Sequence, residues 1–143
     1  MKLITGLIIL AVLYSCSTTK QVKKEENVKS QTEYNFELSL DTKLFLEDLN
    51  KEQGEQNIDE LKLTKEFTDK YNISGSPGAY DISGLIKINE QYNENDLAKL
   101  NINTNSKVNE IVTVIIPLGS IDSFLELDGI KYFELTKKGV PKN

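Results

Sequence analysis

The chain has 143 residues, 17 Lys+Arg against 22 Asp+Glu for a formal net charge of -5, one cysteine and no histidine. A 38% apolar content supplies one modest core rather than two. The missing imidazoles remove Ser-His-Asp and Cys-His catalysis and the commonest zinc ligands, the lone cysteine removes intrachain disulfides and thiolate clusters, and the acidic balance opposes a nucleic-acid partner, so a non-enzymatic protein without metal, cofactor or small-molecule substrate is expected.

The chain opens on Met1-Lys2 and an apolar run from Leu3 to Leu13 broken only by Thr5 and Gly6. That run is shorter than the ~20 residues that cross a bilayer, and it fits the apolar centre of a signal peptide over residues 1–15. Leu13-Tyr14-Ser15-Cys16 then resembles the bacterial lipobox, in which cleavage falls before a cysteine that carries a diacylglycerol. Cys16, the only cysteine, stands at that position, so a lipoprotein anchored in the bacterial cell envelope is expected; the alternative is an ordinary cleaved signal with a stray cysteine. Several acyl chains hold firmly, since each buried CH₂ contributes about 0.8 kcal/mol. Residues 16–36 read as a tether: STTKQVKKEENVKSQT has two valines as its only apolar residues and no amphipathic period.

Residues 37–78 read as a helical leader. Leu40, Leu44 and Phe45 recur at helical spacing, Ser39 or Asp41 caps the start and Gly54 the end. Residues 57–71 fit a helix or an extended stretch, with helix preferred. Ser74-Gly75-Ser76-Pro77-Gly78 is the strongest turn cluster and marks a boundary.

Residues 79–136 are punctuated regularly. Residues 80–88 (YDISGLIKI) alternate as a strand, and Asn93 caps a short helix with Asp96 in the capping-box position and Leu97 and Leu100 inward. Residues 102–108 form a polar edge strand, Asn109 turns, and residues 110–116 (EIVTVII) are the strongest strand, ended by Pro117. Ser120 caps a second helix that buries Ile121, Phe124 and Leu125 and closes at Gly129; residues 130–135 (IKYFEL) are the last strand. The order βαββαβ predicts an α+β, ferredoxin-like domain: an antiparallel four-stranded sheet with both helices on one face. Val112, Val114 and Ile116 then share the covered face with Ile82, Ile86 and Ile88. Leu85, Ile111, Thr113 and Ile115 share the other, which is either a partner-binding surface or is covered by the leader helix.

Residues 82–136 resemble the N-terminal prodomain of subtilisin-like serine proteases. ISGLIKI and then LAKLNINTNSKVNEIVTVIIPLGSIDSFLELDGIKYFELT carry the likeness, with Thr113, Pro117, Leu118, Leu125, Leu127, Gly129, Ile130 and Tyr132 at matching places and Asn101 where the family often has glycine. The resemblance implies a folding chaperone and inhibitor whose open sheet face docks on a subtilisin-like serine protease. It also implies that the tail of residues 137–143, with Lys137, Lys138, Gly139 and Val140, enters the protease cleft like a product. No catalytic domain follows within this sequence, so the expected action is in trans, or the chain is a truncated remnant. The other reading is a structural envelope lipoprotein that self-associates through its apolar face. The acidic stretch 89–96 lacks the spacing of a calcium loop, and there is no Gly-rich phosphate loop.

Overall fold

The structure, a computed structural model, describes residues 34–136. The signal peptide at 1–15, Cys16, residues 17–33 of the tether and the tail at 137–143 lie outside the described residues. The last residues assigned to the tether are packed. Phe36 is buried edge-on to Phe124 with ring centres 5.6 Å apart, and Asn35 Nδ2 donates to the Glu126 carbonyl at 2.6 Å.

Strand β1 (Glu37–Leu38) leads into helix α1 (Leu40–Gln53). Ser39 caps the helix by accepting from Thr42 N, and Gly54 closes it at φ 55. The buried side is Thr42, Phe45, Leu46 and Leu49, one stripe at helical spacing. Of the three apolar residues that recur at helical spacing, Phe45 is buried, while Leu40 and Leu44 are 73% and 45% exposed. The helix is rotated because Thr42 belongs inside: its Oγ1 accepts from the Leu135 backbone N at 2.9 Å, in a buried position.

Residues 57–71 do not form one helix. A 3-10 turn at Ile58–Glu60 is followed by an extended link that buries Leu61, and then by helix α2 (Lys65–Tyr71). Thr64 makes the break, because its hydroxyl accepts from Phe67 N at 3.2 Å and starts a new helix. The cluster Ser74–Gly78 is a hairpin within the sheet rather than a boundary: β2 (Ser74–Ser76) pairs antiparallel with the start of β3 (Ala79–Ile88) across Pro77-Gly78. Gly75, at φ 96, is required there, since a Cβ would sit 2.0 Å from the Ala79 oxygen. The leader and the sheet share one core. Phe45, Phe67 and Tyr71 pack ring against ring, and Leu63 N donates to the Tyr80 hydroxyl at 3.3 Å.

Helix α3 (Glu94–Lys99) is capped by Asn93, whose side chain accepts from Asn95 N; Asp96 pairs with Lys99 at 2.7 Å instead of closing a capping box. Strand β4 (Asn103–Val108) turns at Asn109, in the left-handed region at φ 55, into β5 (Ile111–Pro117). Pro117 is the last residue of that strand, opposite Asp81. Helix α4 (Ile121–Leu125) follows a 3-10 turn, and Ser120 donates to the Leu100 carbonyl at 2.9 Å rather than capping it. Gly129 lies past the helix at φ 82, where a Cβ would come within 2.5 Å of Tyr92 Cα, and β6 (Ile130–Leu135) completes the fold.

The fold is mixed α+β, with six strands in one sheet ordered β1-β6-β3-β5-β4 and β2 attached to β3. The expected four-stranded antiparallel sheet is therefore enlarged and mixed. β1 lies parallel to β6, with Glu37 opposite Tyr132 and Leu38 opposite Phe133. Two residues are too short to show a period, but the edge of β6 offers unpaired groups, and Ser39 N donates to the Phe133 carbonyl at 3.0 Å. All helices contribute to one core with Ile82, Ile86, Val112, Val114, Ile116 and Phe133.

Candidate functional site

The bare face of the sheet is built by strict alternation. In β3 the residues Tyr80, Ile82, Ile86 and Ile88 are buried, while Leu85 is 37% exposed. In β5 Val112, Val114 and Ile116 are buried; Thr113 and Ile115 are half-buried and Ile111 is 51% exposed. The leader helices join the opposite side, so they do not cover this face.

The register assembles rows across it. Leu85 stands between Thr113 and Glu134, and Lys87 between Ile111 and Tyr132. Ser83 stands beside Ile115, and Val108 of the edge strand, 68% exposed, beside Ile111. The expected residues Leu85, Ile111, Thr113 and Ile115 therefore come together on one surface. Thr113 is already engaged: its hydroxyl pairs with the Ser106 hydroxyl at 2.6 Å and reaches the Ser106 carbonyl at 3.3 Å. The expected tail residues Lys137, Lys138, Gly139 and Val140, and Cys16, lie outside the described residues.

Polarity is graded across the face. The β5 and β4 side carries Ile111, Ile115 and Val108; the β6 and β1 side carries Tyr132, Glu134 and Glu37. The Tyr132 hydroxyl donates to Glu134 Oε2 at 3.3 Å, and partial burial, with Glu134 beside it, pushes this phenol above its ordinary range. Glu110 Oε2 lies 3.8 Å from both Lys87 and Lys131 at the hairpin end. Tyr132 and Glu134 were legible in IKYFEL by the same alternation that puts Phe133 and Leu135 inward.

A second polar cluster lies away from this face. Asp48 on α1 accepts from Lys70 Nζ at 2.9 Å, the Tyr71 hydroxyl at 2.7 Å and Lys51 Nζ at 2.9 Å. Those bonds, Lys70 first, hold its carboxyl well below the usual carboxylate range. Lys70 also sits 4.8 Å from the Tyr71 ring centre. The cluster clasps α1 to α2, and nothing in the sequence pattern signalled it, because Asp48 and Lys70 lie in different helices. Among the described residues no group of three His, Cys, Asp or Glu side chains could hold a metal ion, and no helix is long and apolar enough to cross a membrane.

No family model, no curated protein and no solved structure matches the chain.

Proposed function

We propose that the chain is a membrane-tethered, non-enzymatic binding module of the bacterial cell envelope that meets a subtilisin-like serine protease through the open sheet face. The observation that carries this is the exposure of Leu85 and Ile111 on a face no helix covers. A bare aliphatic patch on a small domain is costly in water unless something meets it. The units β3-α3-β4 and β5-α4-β6, with neighbours in the order β6-β3-β5-β4, support a ferredoxin-like arrangement to which β1 and β2 are additions. The likeness of residues 82–136 to a protease prodomain supplies the partner class, and residues 137–143 are the segment that enters its cleft. Cys16 carries the lipid that keeps the module at the membrane.

The test uses the lipid-anchored chain and an envelope subtilisin-like protease, read for capture and for inhibition of peptide cleavage. The wild type captures and inhibits; Ile111→Lys captures far less. Undiminished capture by Ile111→Lys overturns the face as the contact, and no capture by the wild type overturns the protease as partner. A second reading, self-association of a structural envelope lipoprotein, is favoured by Val108, 68% exposed on the free edge strand β4. Sedimentation that gives a concentration-dependent dimer abolished by Val108→Lys supports that reading instead.

A further inference from the structure

Strand β4 closes one end of the sheet, with β5 on one side and no strand of the described residues on the other. The open face also turns aliphatic toward this end. Ile111 and Ile115 stand in β5 and Val108 in β4, while Tyr132, Glu134 and Glu37 stand at the opposite end. Protein interfaces place their apolar part at the centre and their polar part at the rim. A face whose apolar side stops at a free strand is half of that arrangement.

The strand is also complementary to itself. Asn103 stands opposite Ile115 and Val108 opposite Ile111, so both belong to the open face; Thr104 stands opposite Val114 and Lys107 opposite Val112, so both belong to the closed one. In a regular strand, residues five apart point to opposite faces. The register shift between Thr104 and Ser106 removes that mismatch, because Asn105 is one extra residue on β4. Two copies of β4 can therefore run antiparallel with Asn103 of each opposite Val108 of the other and Thr104 opposite Lys107, every side chain meeting one on its own face.

On the closed side this register brings opposite charges together. Thr104 Oγ1 donates to Glu94 Oε1 at 2.9 Å, so the carboxylate of Glu94 stands beside Thr104. The Lys107 ammonium lies 5.2 Å from the centre of the Tyr92 ring, on an exposed residue. Lys107 of each copy then meets Glu94 of the other. On the open side Ile111 and Val108 continue into Asn103 and Ile115 of the second copy. A lysine and a bulge ordinarily guard a free edge against stray strands. Here each finds its match in another β4, so the same two features select a second copy.

We infer that β4 of one chain pairs antiparallel with β4 of a second copy, with Asn103 opposite Val108 and Lys107 facing Glu94. The joined sheet has the aliphatic sides of both open faces at its centre and Glu37, Tyr132 and Glu134 at its two ends. The inference rests on self-association, the second reading of the function, and names its contact.

The experiment follows the full chain carrying Cys16→Ser by sedimentation and by a short thiol-to-thiol cross-linker. Asn103→Cys chains mixed with Val108→Cys chains should cross-link severalfold more than either variant alone. In this register each position lies opposite the other, and ~17 Å from its own counterpart, five residues at ~3.4 Å. Glu94→Lys should weaken the dimer severalfold, and Glu94→Lys with Lys107→Glu should restore it. A dimer in which mixed and unmixed variants cross-link equally, or one indifferent to both charge reversals, overturns the pairing and leaves self-association standing. A chain that sediments as a monomer at every concentration overturns both.

Discussion

In strand β5 the two faces of this sheet are made of nearly the same side chains and have opposite fates. Along β5, Val112, Val114 and Ile116 are fully buried, while Ile111, Thr113 and Ile115 between them remain in contact with water. Within β5 hydrophobicity does not distinguish the two faces, whereas β3 and β6 set Asp81, Ser83, Lys87 and Glu134 on the open one. The connections agree with that bias: α3 and α4 each join two strands of the sheet and send Leu97, Phe124 and Leu125 to the same side. The leader helices then added Phe45, Leu49, Phe67 and Tyr71 to that side as well, enlarging one core instead of building a second. An amount of apolar surface sufficient for one core was concentrated on one face, and the other was left bare.

The sharpest way to break this comparison is a charge placed on the closed face. Val114 is buried between β3 and the helices, so Val114→Lys puts an ammonium where no carboxylate or water can meet it. The expected cost is several kcal/mol, against a total stability of about 5–15 kcal/mol for a small domain, enough to unfold the chain. Circular dichroism on the variant should show no cooperative melt. A melt near that of the wild type would mean that the two faces are assigned the wrong way round.

A smaller change tests how the leader is fastened to the closed side. Thr42 is the one buried polar side chain in the described core, and its Oγ1 accepts from Leu135 N and contacts the Ser39 hydroxyl at 2.8 Å. Thr42→Val keeps the volume but leaves a buried backbone N–H without an acceptor. That should cost about 1–3 kcal/mol in urea unfolding. No change in the midpoint would show that the leader is held by its aromatic contacts alone.

The same residue explains where the sequence was legible and where it was not. Alternation in residues 80–88, 110–116 and 130–135 and the cap at Ser39 are local signals, and the strands, the two faces and the first helix follow from them. Thr42 is polar, so the spacing of Leu40, Leu44 and Phe45 does not reveal that the helix turns to bring the threonine to a donor 93 residues away. β1 and β2 escaped for the same kind of reason. Glu37–Leu38 is a strand only because the edge of β6 is there to pair with it, and Ser74–Ser76 reads as a breaker until its partner in β3 is known. Of the candidate site, the alternating residues were legible. The grading from aliphatic to acidic across the face was not, because it depends on which strands become neighbours.

The smallest expected effect completes the comparison. Ile115 is adjacent in sequence to Val114 and faces the other way, between Asn103 and Ser83. A lysine there extends its charged end into water while its methylenes stay on the sheet. Ile115→Lys should therefore change stability by no more than about 0.5–1 kcal/mol and melt cooperatively. What it should lose is contact: the aliphatic patch around Leu85 and Ile111 would be split by a hydrated charge, and capture of the partner should fall while the fold survives. Thermal melting and capture on the same preparation separate the two effects. A folded Ile115→Lys chain that captures as well as the wild type would mean that the bare face is simply tolerated in water. A chain that unfolds would mean that the half-buried isoleucine serves the core of the sheet more than its surface.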